Sequence, residues 1–283
     1  MALSPRQHHH ARHCHGQDRR YDRGKAQARL CAAGHRRLAS RLIQGCPAAA
    51  LILFCAVGHV TADNIRIATF NAELTRKGPG LLLRDILKEE DPQVAAFTAL
   101  MRDIQPDIIA LQGIDYDLEH RALTALTKVL EKVGLPYPYS FTTAPNAGQT
   151  SGLDLNGNGR LGDADDAHGF GRYTGMGGMA VLSRFEIMHD AVEDYTNLLW
   201  RNLDGHIFPF VEGRPFGGED AFAAHRLSSR NHWVIPILTP DGASLRLMTF
   251  HATPHLYDGN EDRNGRRNHD EVAFWNDYIA QNT

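Results

Sequence analysis

Short apolar segments alternate with amphipathic stretches through most of the chain, and this alternation constrains the fold more than any other feature. Apolar residues recur at helical spacing over residues 92–104 and 119–133, whereas residues 107–112, 178–183 and 232–238 are short, continuous apolar runs. The first pattern is typical of helices with one buried face, and the second is typical of strands buried on both faces. The sequence therefore predicts an α/β protein.

Two further predicted strands end on a polar side chain. The segment NIRIATFN ends at Asn71, and the segment SLRLMTFH ends at His251. Because buried strands consist mainly of packing residues, a polar residue at a strand's carboxyl end favours a role in chemistry. The alternatives are a turn-forming Asn71 and a His251 that bonds a nearby carbonyl. Both residues are candidate catalytic groups.

Charge is distributed unevenly along the chain. Residues 1–62 contain 10 Lys and Arg against 2 Asp and Glu, whereas residues 63–283 contain 20 against 31. An acidic body of this kind repels polyanions at long range, which disfavours tight, non-specific binding of nucleic acids. All four cysteines belong to the basic portion, so the acidic portion cannot form a disulfide of its own.

Residues 1–41 are rich in His and Arg and have almost no apolar periodicity. This composition predicts a disordered basic tail, or an over-extended start of translation. A His/Cys metal-binding tract is the alternative, although the spacing matches no zinc pattern.

Residues 42–62 have the parts of a secretory signal peptide. Arg37 and Arg41 precede an apolar run over residues 47–57, and small residues lie just before Asp63. An apolar run of this length is too short to span a bilayer comfortably. We therefore expect export to the periplasm or the extracellular space, without stable membrane insertion once the signal is removed.

A polar segment within the long loop over residues 144–178 has the spacing of a calcium-binding loop. Four side-chain oxygens and one backbone carbonyl are its candidate ligands, contributed by Asp154, Asn156, Asn158, Arg160 and Asp165. A glycine in the sixth position allows the sharp turn that such a loop needs, so the segment predicts a structural Ca²⁺ site. Two asparagines, and an aspartate in place of the usual last glutamate, should lower the affinity. A solvated turn without an ion is the alternative.

Three arginines follow His251 closely and form the densest positive charge in the acidic body: Arg263, Arg266 and Arg267. Guanidinium groups can bind phosphate oxygens in a bidentate manner, so these residues are candidates for a loop that holds the phosphate of a substrate. A charged loop with internal Asp/Arg pairs, followed by a helix over residues 268–280, is an equal alternative.

Four segments, in order along the chain, resemble motifs of the endonuclease/exonuclease/phosphatase family, the metal-dependent phosphoesterases that include pancreatic deoxyribonuclease. They are NIRIATFNAE, PDIIALQGIDYD, GGMAVLSR and LRLMTFHATP. The resemblance implies that residues 63–283 form a two-sheet sandwich flanked by helices, with Mg²⁺ or a similar divalent cation as cofactor. It also implies that Asn71 lies near the metal and the phosphate, and that His251 protonates the leaving oxygen or stabilises the phosphoryl charge.

The chain departs from the family pattern in two places. Gly113 stands where the family has a metal-binding Glu, and only Asp115 or Asp117 is near enough to compensate. No counterpart of the family's Gly-Asp-x-Asn segment, or of its closing Asp-His pair, follows His251. These departures predict an N-terminal portion of the fold, incomplete at its C-terminus and nearly inactive on its own.

Taken together, these features predict an exported, metal-dependent phosphoester hydrolase that acts on a phosphorylated small molecule or a nucleic acid. The acidic charge slightly favours the small molecule. A non-catalytic, calcium-stabilised extracellular module is the first alternative, and a nuclease is the second.

Overall fold

The computed structural model of the protein describes residues 64–282. The expectations for the tail over residues 1–41 and for the signal peptide over residues 42–62 therefore lie outside the described residues. Within them, the strands are β1 (Ile67–Leu74), β2 (Ile108–Ile114), β3 (Tyr139–Phe141), β4 (Gly178–Ser183), β5 (Glu193–Asp194), β6 (Phe210–Val211), β7 (Arg214–Pro215), β8 (His232–Leu238) and β9 (Ser244–Phe250). The α-helices are α1 (Leu81–Lys88), α2 (Pro92–Ile104), α3 (Arg121–Lys132), α4 (Glu219–Ala224) and α5 (Arg263–Asn282).

The strands form two main sheets. The first has the order β1-β2-β4-β3, in which β1 and β2 are parallel and the other neighbours are antiparallel. The second has the order β5-β8-β9 and is antiparallel. Strands β6 and β7 form a separate two-stranded hairpin.

Three apolar clusters stack these elements into four layers. Helices α1, α2 and α3 cover one face of the first sheet, where Ile86 and Leu126 join the same cluster as Leu111. The opposite face packs on the second sheet, with Val181 and Trp233 in the shared core. The far face of the second sheet is covered by α5 and by the segment around Trp200. The predicted sandwich of two sheets flanked by helices is therefore confirmed.

Helix α2 shows how local sequence fixes an element. Asp91 precedes it, and its Oδ1 accepts the N–H groups of Gln93 and Val94, while Pro92 occupies the first helical position. An acidic cap followed by proline satisfies the N–H groups that have no partner at a helix start. Val94, Phe97 and Met101 then lie on the buried face, so the helix has the bounds that its apolar stripe predicts.

The loop that precedes β4 is held in place by a buried amide. Asn146 is fully buried, and its Nδ2 donates to the carbonyls of Thr196, at 2.6 Å, and Ser228, at 2.7 Å. This long loop is therefore an ordered connection that joins the two halves of the sandwich. None of the helices within residues 64–282 is long and apolar enough to cross a membrane.

Candidate functional site

The two polar strand ends lie at the same edge of the sandwich. In the first sheet, Asn71 of β1 pairs with Gln112 near the end of β2, and the end of β2 pairs with Gly178 at the start of β4. In the second sheet, His232 at the start of β8 pairs with Phe250 at the end of β9, which directly precedes His251.

Arg230 connects these two strand ends. A Cβ atom placed on Gly177 would lie 3.0 Å from Thr75 Oγ1 and 3.9 Å from Arg230 Nε. Thr75 in turn donates to the Gly113 carbonyl at 3.3 Å, and the charge of Arg230 acts on the pKa of His251. A continuous row of residues therefore runs from the Asn71 motif to the His251 motif.

Gly113 lies at a bulge where both neighbouring strands shift register. Its φ is +68°, and a Cβ at this position would lie 2.5 Å from Asn71 Oδ1 and 3.2 Å from the Glu73 amide nitrogen. A left-handed backbone of this kind favours glycine. The Asn71 amide therefore fills the space that a side chain at position 113 would enter.

The two neighbouring aspartates are engaged by the backbone. Asp115 is buried and accepts the N–H groups of Arg76, at 2.8 Å, and Gly177, at 2.9 Å, together with the Tyr173 hydroxyl at 2.8 Å. Burial raises the pKa of this carboxyl, and the hydrogen bonds oppose the rise. Asp117 accepts the first N–H groups of α3. Both aspartates thus stabilise local structure at this edge.

These observations test whether the residues present suit a divalent cation. Cations such as Mg²⁺ need carboxylates whose oxygens point to a common centre. Position 113 supplies no side-chain oxygen, and the oxygens of Asp115 accept hydrogen bonds from the backbone. No group of three or more His, Cys, Asp or Glu residues within residues 64–282 could hold a metal. The described residues do not fit the cation that the family pattern implies.

A cavity of about 500 Å³ opens beside His251. Its polar walls are formed by Asp165, His225, Arg230, His251, Arg263 and Arg267, and its apolar walls include Ala167, Phe170, Ala252 and Pro254. Asn71 is not among its lining residues. The structure therefore places Asn71 and His251 at one edge, and only His251 in this cavity.

Burial, with a further contribution from the positive charge of Arg230, lowers the pKa of His251 to about 4. The imidazole is therefore neutral at pH 7. Its Nδ1 is buried without a hydrogen-bond partner among the described residues. A neutral ring can form a hydrogen bond to a phosphoryl oxygen, whereas donating a full proton requires a nearby negative charge that raises the pKa.

Arg230 is a cavity residue that the sequence analysis did not identify. Its Nη1 donates to the carbonyls of Phe170, at 3.1 Å, and Ser229, at 3.3 Å. Burial lowers the pKa of its guanidinium, and Glu271 opposes this shift. Among the residues that the structure describes, no carboxylate forms an ion pair with it.

The three candidate arginines differ in their surroundings. Arg263 lines the cavity, pairs with Asp165 at 3.2 Å and lies over the Phe216 ring. Arg266 is not a lining residue, and its Nη1 donates to the Ile207 carbonyl at 3.3 Å. Two of the three arginines thus reach the cavity, and Arg263 reaches it as one half of an ion pair.

Arg267 is buried, and its donors are directed at main-chain carbonyls. Nε donates to Leu227 at 2.8 Å, and Nη2 donates to the carbonyls of His168, Arg226 and Ser228. Burial lowers its pKa to about 10. Arg267 therefore ties together the loops that form the cavity wall.

These arginines lie on α5, which begins at Arg263 and not at residue 268. The carboxylate of Asp258 accepts the N–H groups of Asn264, at 2.7 Å, and Gly265, at 3.0 Å. An acceptor of this kind satisfies the first turn of a helix. It allows helix to form through Asn264 and Gly265, whose low helix propensity had favoured a loop.

Two buried groups around the cavity were also missed from the sequence. Glu271 on α5 is fully buried and accepts the N–H groups of Ser229, at 2.7 Å, and Thr253, at 2.5 Å. Burial raises the pKa of its carboxyl, and Arg267 opposes that shift. His225 is buried, and burial, with further contributions from Arg267 and Arg263, holds the pKa of its ring well below the usual range. The only sequence signal was a charged residue on the apolar face of α5.

The predicted calcium loop is closed by its own hydrogen bonds. Asp154 accepts the N–H groups of Asn158, at 3.1 Å, and Gly159, at 2.7 Å, and Asn156 also accepts from Asn158. Asp165, the predicted last ligand, instead faces Arg263 in the cavity wall.

The next residue in the loop, Asp166, is the one turned inward. It is buried and accepts the N–H groups of Leu155, at 2.9 Å, and Gly162, at 2.8 Å. Among the predicted ligands, Asn158 and Arg160 meet through a hydrogen bond from the Arg160 N–H to Asn158 Oδ1 at 2.8 Å. The structure thus brings the first part of the predicted ligand set together and directs Asp165 elsewhere.

Comparison with known proteins defines the class. The model of the endonuclease/exonuclease/phosphatase family matches residues 68–280, so the chain belongs to this family. Its members generally depend on a divalent cation and act on phosphoesters such as nucleic acids or phosphorylated molecules. No curated protein matches the chain.

Two solved structures of low similarity bear the same family name. One is the endonuclease/exonuclease/phosphatase from Beutenbergia cavernae DSM 12333, at 15% identity, a TM-score of 0.35, and coverage of 68% of this chain and 39% of that one. The other is a family protein from Leptotrichia buccalis C-1013-b, at 17% identity, a TM-score of 0.36, and coverage of 75% and 63%. The chain thus spans less than two thirds of either protein.

Proposed function

We propose that the protein is a phosphoester hydrolase whose substrate phosphoryl group lies in the cavity between Arg230 and His251. The observation that carries this proposal is that Arg230, which forms no ion pair with a carboxylate among residues 64–282, and His251 line one cavity at the strand end where the family motif predicts chemistry. Family membership supports the reaction class.

The chemistry assigns one task to each group. Arg230 offsets the negative charge of the phosphoryl oxygens, and His251 forms a hydrogen bond that strengthens as charge moves onto the leaving oxygen. Asp165 is the carboxylate among the lining residues, and its pairing with Arg263 limits its use as a base. We therefore expect slow hydrolysis by this polypeptide.

A small phosphorylated molecule is the proposed substrate. A cavity of about 500 Å³ is of the size that holds small ligands. The negative charge of residues 63–283 opposes the approach of a long polyanion. A nuclease is the rival that this argument disfavours.

The test compares hydrolysis of p-nitrophenyl phosphate, bis-p-nitrophenyl phosphate and plasmid DNA, each with EDTA and with Mg²⁺. Replacing His251→Ala should lower the rate on the best substrate by roughly 10²-fold, the lower end for a group that assists proton transfer. His255→Ala is the matched control, because His255 is exposed and does not line the cavity. Equal losses in the two variants, or cleavage of plasmid DNA alone, would overturn the proposal.

Export is a separate part of the proposal. It rests on the basic flank and the apolar run before Asp63. N-terminal sequencing of protein recovered outside the cytoplasm should give a mature end close to Asp63. A mature end far from this residue contradicts export by this route.

A non-catalytic, calcium-stabilised extracellular module is the second candidate. It is favoured by an ordered turn in which the side-chain oxygens of Asp154 and Asn156 accept hydrogen bonds from backbone N–H groups of the loop. The hydrolysis assay separates the candidates, since a module of this kind turns over none of the three substrates.

A further inference from the structure

Three asparagines of the chain are followed directly by glycine: Asn156, Asn158 and Asn264. A glycine has no side chain to shield its backbone nitrogen, so this nitrogen can approach the side-chain amide carbon of the asparagine before it. Attack at that carbon is the first step of deamidation. The three pairs differ in what holds the glycine nitrogen, and this difference decides which asparagine is open to the reaction.

Two of the three glycine nitrogens are held by a carboxylate. The Gly159 N–H donates to Asp154 Oδ2 at 2.7 Å, and the Gly265 N–H donates to Asp258 Oδ2 at 3.0 Å. The attacking nitrogen must lose its proton, and a negative charge in contact with the N–H group opposes that loss. These hydrogen bonds therefore protect the asparagine that precedes each glycine.

The glycine nitrogen after Asn156 differs from the other two. Among residues 64–282, no acceptor takes the Gly157 N–H, and this glycine is exposed to solvent. The side chain before it is oriented, because Asn156 Oδ1 accepts the Asn158 N–H at 3.0 Å. This hydrogen bond polarises the amide carbonyl, so its carbon is easier to attack.

The side-chain contacts of the two loop asparagines are alike. Asn158 Nδ2 donates to Asp163 Oδ2 at 2.7 Å, and Asn156 also donates a hydrogen bond to this carboxylate. The glycine N–H is therefore the contact that distinguishes the two amides.

We propose that Asn156 is a site of spontaneous deamidation in the folded protein, and that Asn158 and Asn264 are protected from it. The Gly157 nitrogen loses its proton to solvent and bonds to the side-chain carbon of Asn156, and the carbon–nitrogen bond of the amide breaks. Ammonia leaves with a proton from solvent, and a cyclic imide remains. Water then opens the ring at either carbonyl, which gives aspartate or isoaspartate. The reaction needs no other reactant and does not depend on the proposed hydrolase activity.

Deamidation at Asn156 changes the charge of the loop. A carboxylate replaces an amide that donates to Asp163, so two negative charges face each other in place of a hydrogen bond. In the aspartate product, this carboxylate occupies the third position of the predicted calcium loop, and more ligand charge favours calcium binding. The loop therefore becomes more attractive to a cation as the protein ages.

The test incubates the full chain at mildly alkaline pH and follows each asparagine by peptide mass spectrometry, with fragmentation that separates aspartate from isoaspartate. We expect Asn156 to react roughly 10- to 100-fold faster than Asn158 or Asn264 in the folded protein, the effect of one hydrogen bond to a charged group. In concentrated urea, where these contacts are lost, the three rates should become similar. Anion-exchange retention is an independent readout, because each event adds a negative charge.

Two variants and a control separate the site from its protection. Asn156→Gln should remove most of the early charge change, because its longer side chain would have to close a larger ring. Asp154→Ala removes the acceptor of the Gly159 N–H and should raise the rate at Asn158. Asp103→Ala, at an exposed position of α2, is the matched control and should leave all rates unchanged.

Circular dichroism shows that each variant is folded. Reaction at Asn158 or Asn264 as fast as at Asn156 in the folded, unaltered protein overturns the proposal. An unchanged rate at Asn158 in a folded Asp154→Ala protein overturns it as well, because the hydrogen bond to Gly159 would then give no protection.

Discussion

The strand ends of the two sheets, which lie at one edge of the sandwich, differ in the contacts that their polar side chains make. At the end of the first sheet, the Asn71 amide occupies the space beside Gly113, and Asp115 accepts backbone hydrogen bonds from Arg76 and Gly177. At the end of the second sheet, Arg230 and His251 line an open cavity. The Nδ1 atom of His251 has no hydrogen-bond partner among the described residues. The sequence motifs give both ends equal weight, and only the packing shows that His251 lines the cavity of about 500 Å³ and that Asn71 does not.

The largest effect is expected at Glu271, which supports the open end. Removing this carboxylate leaves Arg267 buried without its counter-charge and leaves the N–H groups of Ser229 and Thr253 without an acceptor. A buried N–H group that loses its acceptor costs roughly 1–3 kcal/mol, so two such groups cost roughly 2–6 kcal/mol. Glu271→Ala should lower the free energy of unfolding by about that amount in urea titrations.

Glu131→Ala is its control, because Glu131 is an exposed glutamate on α3. It should change the free energy of unfolding by less than about 0.5 kcal/mol. If the two variants were equally stable, the buried carboxylate would have no supporting role at the open end.

The second prediction concerns the pH dependence of the free energy of unfolding, to which a buried histidine of the second sheet, His232, contributes. Burial lowers the pKa of His232 to about 4, whereas a histidine in the unfolded chain titrates near 6.5. Between these values the unfolded state binds more protons, so stability falls as the pH falls from about 6.5 to 4, by on the order of 3 kcal/mol for this residue. Urea titrations at several pH values measure the slope.

His232→Phe should flatten that slope, and His255→Phe, at an exposed position, should leave it unchanged. The comparison is made between variants because Asp115 and Glu271, whose pKa values are raised by burial, act in the opposite direction. An unaltered slope in His232→Phe would show that this imidazole is protonated in the folded protein.

The third prediction tests the closed end. Gly113→Ala introduces a left-handed alanine and a contact with Asn71 Oδ1. Gly134→Ala introduces only the first of these costs, because its φ is +83° and no atom lies within 4 Å of the added Cβ. We expect a loss of about 1–2 kcal/mol at Gly134 and about 1–3 kcal/mol more at Gly113.

The double variant Asn71→Ala/Gly113→Ala should regain most of the extra loss, because the clashing amide is gone. Thermal or urea unfolding measures all three proteins. Equal losses at the two glycines would mean that Asn71 does not close this end of the sheet.

The smallest effect is expected from calcium. If Ca²⁺ binds the loop at Asp154 with a dissociation constant on the order of 10⁻³ M, an equal concentration of the ion stabilises the fold by only ~0.4 kcal/mol. Calorimetry with Ca²⁺, with Mg²⁺ as the comparison ion and Asp154→Asn as the variant, should detect weak binding that the variant loses. Absence of heat at millimolar Ca²⁺ would leave the loop as a hydrogen-bonded turn.

Elements with a strong local signal were predictable from the sequence. The apolar stripe of α2 gave its bounds, and β4 and β8 have the bounds of their apolar runs. Helix α1 was missed, since it is short and follows Pro79 and Gly80, which favour a turn. Its buried Leu82 and Ile86 are spaced four residues apart, a pattern too brief to stand out.

The site was predictable only in part. His251 was identified because it ends a strand, and its place beside an arginine depends on packing that local sequence does not encode. Arg230 and Glu271 become notable only through burial, and burial is set by residues that are distant in the chain. Gly113 was recognised as a departure from the family pattern, but the contact with Asn71 that explains it is a property of the bulge.

The lifetime of the cavity depends on the docking of α5, a helix of 20 residues. Arg267 donates hydrogen bonds to main-chain carbonyls, and Glu271 accepts hydrogen bonds from main-chain amides, in three separate loops. Undocking of this one helix would therefore break all of these hydrogen bonds together. Native-state hydrogen exchange should therefore show the amides of Ser229 and Thr253 opening as a single unit with α5. The cavity would then exist only while α5 is docked, and a ligand bound there would slow its undocking.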